Sequence, residues 1–285
     1  MRTIFGLTIG AALLLSCTGR RAPQTPPIAL DTLFADSLLM QEEMLEEEEL
    51  SIKPGQDVSS RIDALFGDFL FAYLHSSALR RQRTDHPLPW TDTTGVTKEV
   101  RLFDAAHEFQ FLQGDYFTTF YGNSEQIDVE NEETQEQDTL VNVQRISFSD
   151  STICNFIFRR SPWEWRLTNA FTTTFDDDEL SEFLHFYARF TTDSLFQAQS
   201  IANPLHVVLQ DPDDDEGIVQ GTIDAGQWSS FCPEMPSGCL SNIIRQQWYG
   251  GRRILLRKCG LSNSLQEIFT FTRERGNWRL TRYEN

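Results

Sequence analysis

The sequence repeats its own layout, and nothing else narrows so far what it can fold into. Phe66-Gly-Asp-Phe69 aligns with Phe183-Leu-His-Phe186 at an offset of 117 residues. At the same offset Tyr73 meets Phe190, Ser77 meets Ser194, Gln82 meets Gln199, and Pro87-Leu88 meets Pro204-Leu205. Further on, Phe156-Ile-Phe158 matches Phe269-Thr-Phe271, and Trp165-Arg-Leu-Thr168 recurs as Trp278-Arg-Leu-Thr281, now at an offset of 113. So small a drift over so long a span is what two copies of one unit show when a loop has changed length. Two tandem repeats follow, residues 58–174 and 175–285.

Each repeat opens with a helix. Ile62, Leu65, Phe66, Phe69, Leu70 and Tyr73 make one continuous helical face, and Leu180, Phe183, Leu184, Tyr187 and Phe190 repeat it. Ser60 with Asp63 resembles a capping box, and Asp176 to Asp178 place carboxylates where a helix dipole favours them. A shorter helical turn, near 77–83 and 194–200, precedes the stops His86-Pro87-Leu88 and Asn203-Pro204-Leu205.

The rest of each repeat alternates apolar and polar residues, as strands do. In the first repeat these are Glu108-Phe-Gln-Phe-Leu112, Asp138–Val143, Ile146-Ser-Phe148, Cys154–Phe158 and Trp163–Leu167. Arg160-Ser-Pro-Trp163 and Glu274-Arg-Gly-Asn277 read as hairpin turns before each final strand. The acid-rich stretch Glu125–Asp138 reads as a long hairpin loop or flap. The expected class is α+β, with a long helix laid across a curved antiparallel sheet in each repeat, because both have one apolar face to bury.

The N-terminus carries an address. Arg2 precedes an apolar run from Ile4 to Leu15, too short for the ~20 residues a membrane-spanning helix needs and suited to a signal peptide over residues 1–16. Leu14-Leu15-Ser16-Cys17 resembles the lipobox of bacterial lipoproteins. That resemblance implies cleavage before Cys17, lipid on its thiol, and a membrane as the partner it reaches. An ordinary secretory signal with a chance cysteine is the alternative. Thr18 stands where many such lipoproteins carry an inner-membrane retention Asp, so the resemblance implies the outer membrane, facing the periplasm. Residues 17–57, with Pro23, Pro26, Pro27 and a Glu-rich stretch ending near Leu50, read as an acidic tether.

The helix-then-sheet layout resembles nuclear-transport-factor-2-like (NTF2-like) or cystatin-like folds. The lipobox, acidic tether, Phe-x-x-Phe helix, Pro-Leu stop and Trp-Arg-Leu strand together resemble Bacteroidetes-type lipoproteins with the domain of unknown function DUF4348. The resemblance implies a fold and an address, with no activity and no site residues to carry over.

Chemistry is sparse. A net charge of −18 makes nucleic acid a poor partner for the chain as a whole. The five histidines are scattered, and neither a Gly-x-Ser-x-Gly elbow nor a phosphate-cradling Gly loop is present. No catalytic residue and no cofactor is assigned. Beyond Cys17 there are four cysteines; Cys232 and Cys239 flank a short Pro-containing loop and form the candidate disulfide, with Cys239–Cys259 as competitor, and Cys154 on a strand is expected to be a buried thiol. Zinc would want two close ligand pairs and finds one, and Asp211–Gly217 fails the calcium-loop pattern because Glu216 and Thr222 sit where Gly and Glu belong. No metal site is assigned. Asp115-Tyr116 reads as a surface pair. The expected function is a non-enzymatic envelope lipoprotein that binds an envelope protein or a small-molecule ligand. The alternative is an enzyme using an NTF2-like cavity for acid–base chemistry on a small molecule.

Overall fold

Five aromatic and aliphatic side chains at helical spacing set the first described helix, α1, Phe66–His75, whose buried face is Phe66, Phe69, Leu70, Tyr73 and Leu74. The computed structural model describes residues 62–285, apart from 113, 132–137, 163, 212–216, 232, 246–250 and 261–265. The expected signal peptide and tether lie outside the described residues. Asp57–Asn285 forms one compact unit.

Helix α1 ends at Ser76, whose hydroxyl accepts from the Leu79 amide and so caps the short α2, Ser77–Gln82. Strands β1 (Leu88–Thr91) and β2 (Thr97–Val100) follow, then α3 (Ala105–Glu108), a 3-10 turn at Gln110–Leu112, β3 (Tyr116–Tyr121) and α4 (Ser124–Asn131). A meander closes this half: β4 (Leu140–Ser147), β5 (Thr152–Ser161) and β6 (Glu164–Thr174). The second half runs α5 (Ser181–Thr192), α6 (Ser194–Gln199), β7 (Ile201–Gln210), β8 (Ile218–Ile223), a 3-10 turn at Ala225–Gln227, α7 (Trp228–Phe231), β9 (Cys239–Ile244), β10 (Arg253–Gly260), β11 (Gln266–Glu274) and β12 (Asn277–Glu284). Asp193 caps α6 as Ser76 caps α2, accepting from the Leu195 and Phe196 amides.

Two six-stranded sheets result, in the orders β2-β1-β6-β5-β4-β9 and β3-β10-β11-β12-β7-β8. Each takes one strand from the other half of the chain: β9 joins β4, with Arg145 opposite Ser241, and β3 joins β10, with Lys258 opposite Thr118. Two buried clusters fill the molecule, one around Phe66, Phe69, Phe156, Phe158 and Trp165, the other around Phe183, Tyr187, Phe190, Phe271 and Leu280.

Several expectations are corrected. The sheets are mixed, since β1 pairs with β6 in parallel and β7 with β12 in parallel. Glu108–Leu112 is helical: Phe109 and Leu112 are both buried, and a 3-10 turn stacks side chains three apart where a strand would turn them to opposite faces. Asp138–Val143 and Ile146–Phe148 contribute to one strand, β4, and part of the expected flap is α4. The short helix α6 ends at Gln199, and Pro204, expected as its stop, lies inside β7. Asp63 is 1% exposed and pairs with Arg83, itself 3% exposed, at 3.0 Å. It also accepts from the Trp165 amide at 2.8 Å, so it is a buried counter-charge; Ser60, its expected capping partner, is outside the described residues. The hairpin turn at Arg275-Gly276 forms as expected, with positive φ at both residues (51° and 89°), the backbone a two-residue hairpin wants.

Candidate functional site

The concave face of each sheet is where a fold of helix laid on bent sheet offers a cavity, and in both sheets aromatic rings occupy it. Phe66 meets Trp165 edge-on with centroids 4.9 Å apart, and Phe109 lies 4.5 Å from Phe156. In the second sheet Phe183 meets Phe271 at 5.2 Å and Trp278 at 5.3 Å. Rings of this size bury roughly 150–250 Å² each, so the space beneath each helix is filled.

A polar cluster stands on each sheet as well. On the first sheet Arg145 sits opposite Cys154, donating to its Sγ at 3.3 Å and to Glu108 at 3.0 Å. On the second, Lys258 sits opposite Glu267 and pairs with it at 2.8 Å, both side chains nearly fully buried. Tyr283 donates to the other Glu267 oxygen at 2.6 Å, while Lys258 also donates to the Glu234 carbonyl and lies 4.8 Å from the centre of the Tyr116 ring. Burial, and after it the charge of Glu234, holds the Tyr116 phenol above its usual range. Lys258 and Glu267 neutralise each other, which is what makes a buried ion pair tolerable.

A cavity of about 190 Å³ opens elsewhere, between α2 and the start of α3. Arg80, Arg81, His86, Phe103 and Asp104 line it, with Ser77, Ala105 and Ala106. Arg80 is anchored, its Nη1 donating to the Leu74 carbonyl at 2.6 Å and, more weakly, to that of Tyr73. Asp104 spends an oxygen on the His107 amide. Arg81 and His86 stand exposed.

The model of the family described as Domain of unknown function (DUF4348) matches residues 42–285. The chain belongs to that family. Among solved structures, an NTF2-like protein from Bacteroides fragilis is similar to it: 28% identical, TM-score 0.70, covering 82% of this chain and 98% of that one. Among curated proteins, none matches. An α+β body with a strand-rich core and an NTF2-like neighbour is therefore the fold of this DUF4348 chain.

Against this DUF4348 body the sequence-predicted residues fall as follows. Cys17 and Cys232 lie outside the described residues. Cys239 carries a free thiol, and Cys154 is a buried one, in contact with Arg145 and Thr172. Among the described residues no three His, Cys, Asp or Glu side chains gather as metal ligands, and no helix is long and apolar enough to cross a membrane. Tyr116, read as half of a surface pair, lies against Lys258, whereas Asp115 is exposed. Sequence reading missed Asp63–Arg83, Lys258–Glu267 and the Arg80–Arg81–His86 pocket. The offset of 113 could have found one of them, since it sets Arg145 against Lys258, a cation kept at one place in both halves.

Proposed function

We propose that this chain is a membrane-anchored envelope lipoprotein, held through lipid on Cys17 at the outer membrane and facing the periplasm. Its folded body is two copies of one α+β unit and acts as a non-enzymatic binding module for a small ligand. The observation that carries the binding reading is the contrast between concave faces filled by rings and an open, polar cavity between α2 and α3. The two-copy reading is supported by element order: helix, short helix, two strands, a helical turn, a strand and a three-strand meander run through 66–174 and again through 181–284, with α4 inserted before the meander in the first half alone among the described residues. The anchor is supported by the apolar run Ile4–Leu15 and the motif Leu14-Leu15-Ser16-Cys17.

One cluster favours the enzymatic alternative, since Lys258, Glu267, Tyr283 and Tyr116 are the residue types acid–base chemistry uses. Against it, the ion pair is closed over and each member is engaged.

Two experiments test the proposal. Metabolic labelling with a fatty-acid probe should mark the full chain and spare Cys17→Ser; an unlabelled wild type overturns the anchor. Native mass spectrometry of protein taken from its own membranes should show a small-molecule adduct; protein at its bare mass in every preparation counts against a ligand-binding module.

A further inference from the structure

We infer that the cavity between α2 and α3 is an oxyanion site, taking a small ligand through a phosphate group. This rests on the binding-module reading and adds the ligand's chemistry.

The chain carries 42 acidic and 24 basic side chains, yet this concavity gathers two arginines and a histidine against one carboxylate, Asp104. Asp104 already accepts from the His107 amide, which blunts its opposition. Guanidinium groups present planar forks of donors that match phosphate oxygens, and a site with two of them prefers an anion of more than one charge.

The second half folds without charge at these three positions. At the 117-residue offset the second half has Gln197 for Arg80, Ala198 for Arg81 and Asn203 for His86. Gln197 performs the structural part of Arg80's work: its Nε2 donates to the Phe190 carbonyl at 3.1 Å, as Arg80 Nη1 reaches the Tyr73 carbonyl at 3.4 Å. Phe190 and Tyr73 are themselves partners at that offset. Beyond Arg80's bond to the Leu74 carbonyl at 2.6 Å, what the first half adds is positive charge. In the second half an oxygen already occupies the corresponding corner, Asn203 Oδ1 accepting from the Ala225 amide at 3.3 Å.

A volume of about 190 Å³ equals about six waters at roughly 30 Å³ each, well below the roughly 300–1,000 Å³ of pockets that enclose drug-sized molecules. It holds a phosphate group and little more, so a larger ligand would leave its remainder outside.

The test is isothermal titration of the mature protein with inorganic phosphate, with sodium acetate and with glycerol at matched ionic strength. A triple variant, Arg80→Gln, Arg81→Ala and His86→Asn, serves as the control, because the second half carries those residues. Saturable phosphate binding, weakened at least tenfold in the triple variant and in Arg81→Ala alone, is the expected result. A melting temperature unchanged in Arg81→Ala shows that the loss is local. Phosphate binding that survives the triple variant overturns the site. Binding of glycerol or acetate in preference to phosphate overturns the oxyanion class and leaves the module reading standing. Heats that never saturate with any of the three, beside a small-molecule adduct by mass spectrometry, overturn the site alone; without that adduct both readings fall.

Discussion

Thr118 and Ser241 hydrogen-bond to each other reciprocally, each backbone amide donating to the other's hydroxyl at 2.7 and 3.0 Å. Each hydroxyl then donates to the other's carbonyl, at 2.6 and 2.9 Å. Thr118 is on β3 and Ser241 on β9, the two strands that have crossed into the other half's sheet, and both residues are almost wholly buried. Four bonds through two short side chains thus stitch the exchanged strands where an ordinary ladder is absent. Beside them Asn242 accepts from the Phe120 amide and donates to Gln144, which donates to Asn155.

Because each sheet needs a strand from the other half, the halves should not unfold separately. Urea unfolding followed by tryptophan fluorescence and by circular dichroism is expected to give one coincident transition. Ser241→Ala should cost about 1–3 kcal/mol, since it strips a partner from the buried Thr118 amide. Two resolved transitions would mean that the exchange does not couple the halves.

The Asp63–Arg83 pair has Leu180 and Ser200 at its counterpart positions, all four buried. Removing Asp63 leaves Arg83 with only the half-exposed Glu164, at 3.2 Å, so Asp63→Ala should cost up to about 3–5 kcal/mol. Asp63→Leu combined with Arg83→Ser copies the other half and should cost less than Asp63→Ala alone. A double variant as unstable as the sum of its singles would show that the charges are not coupled.

Burial pushes the Asp178 carboxyl above its usual range, with the Leu180 amide and Gln144 pulling the other way. A raised carboxyl contributes stability below its unfolded value of about 3.9, and that contribution is lost as pH rises through the higher folded value. Asn at this position does not titrate. The melting temperature of Asp178→Asn, relative to wild type, should therefore climb between about pH 4 and pH 7. A difference that stays flat or shrinks over that range contradicts the burial of this carboxylate.

Phe158 and Phe271 hold counterpart places beneath the two helices, both fully buried. Truncating either to Ala should cost about 3–5 kcal/mol, measured by urea unfolding, because a close-packed ring leaves a cavity its neighbours cannot fully close. A loss below about 1 kcal/mol at either position would reopen that concave face as a binding cavity.

Much of this fold was legible because it is local. The stripe Phe66, Phe69, Leu70, Tyr73 makes a helix wherever it has something to pack on, and Arg275-Gly276 makes a tight turn from its own backbone preferences. The segment around Phe109 was misread because Phe109 and Phe111 satisfy a two-residue period as well as Phe109 and Leu112 satisfy a three-residue one. Only the position of the core chooses between them. The cationic pocket was less legible still, since Arg80 and Arg81 gain meaning only when Phe103 and Asp104 are brought opposite.

By itself, then, the sequence determined the long helix and the short helix that open each half and the last strands of each half, since spacing along the chain settles which face is apolar. The tertiary structure decided where β3 and β9 pair. The two halves offer these strands nearly the same edge, Arg145 in β4 and Lys258 in β10 standing at matching places. No local pattern can choose between two like edges. That choice belongs to contacts far apart in the chain, such as those between Thr118 and Ser241, whose free energy appears only once both sheets are assembled.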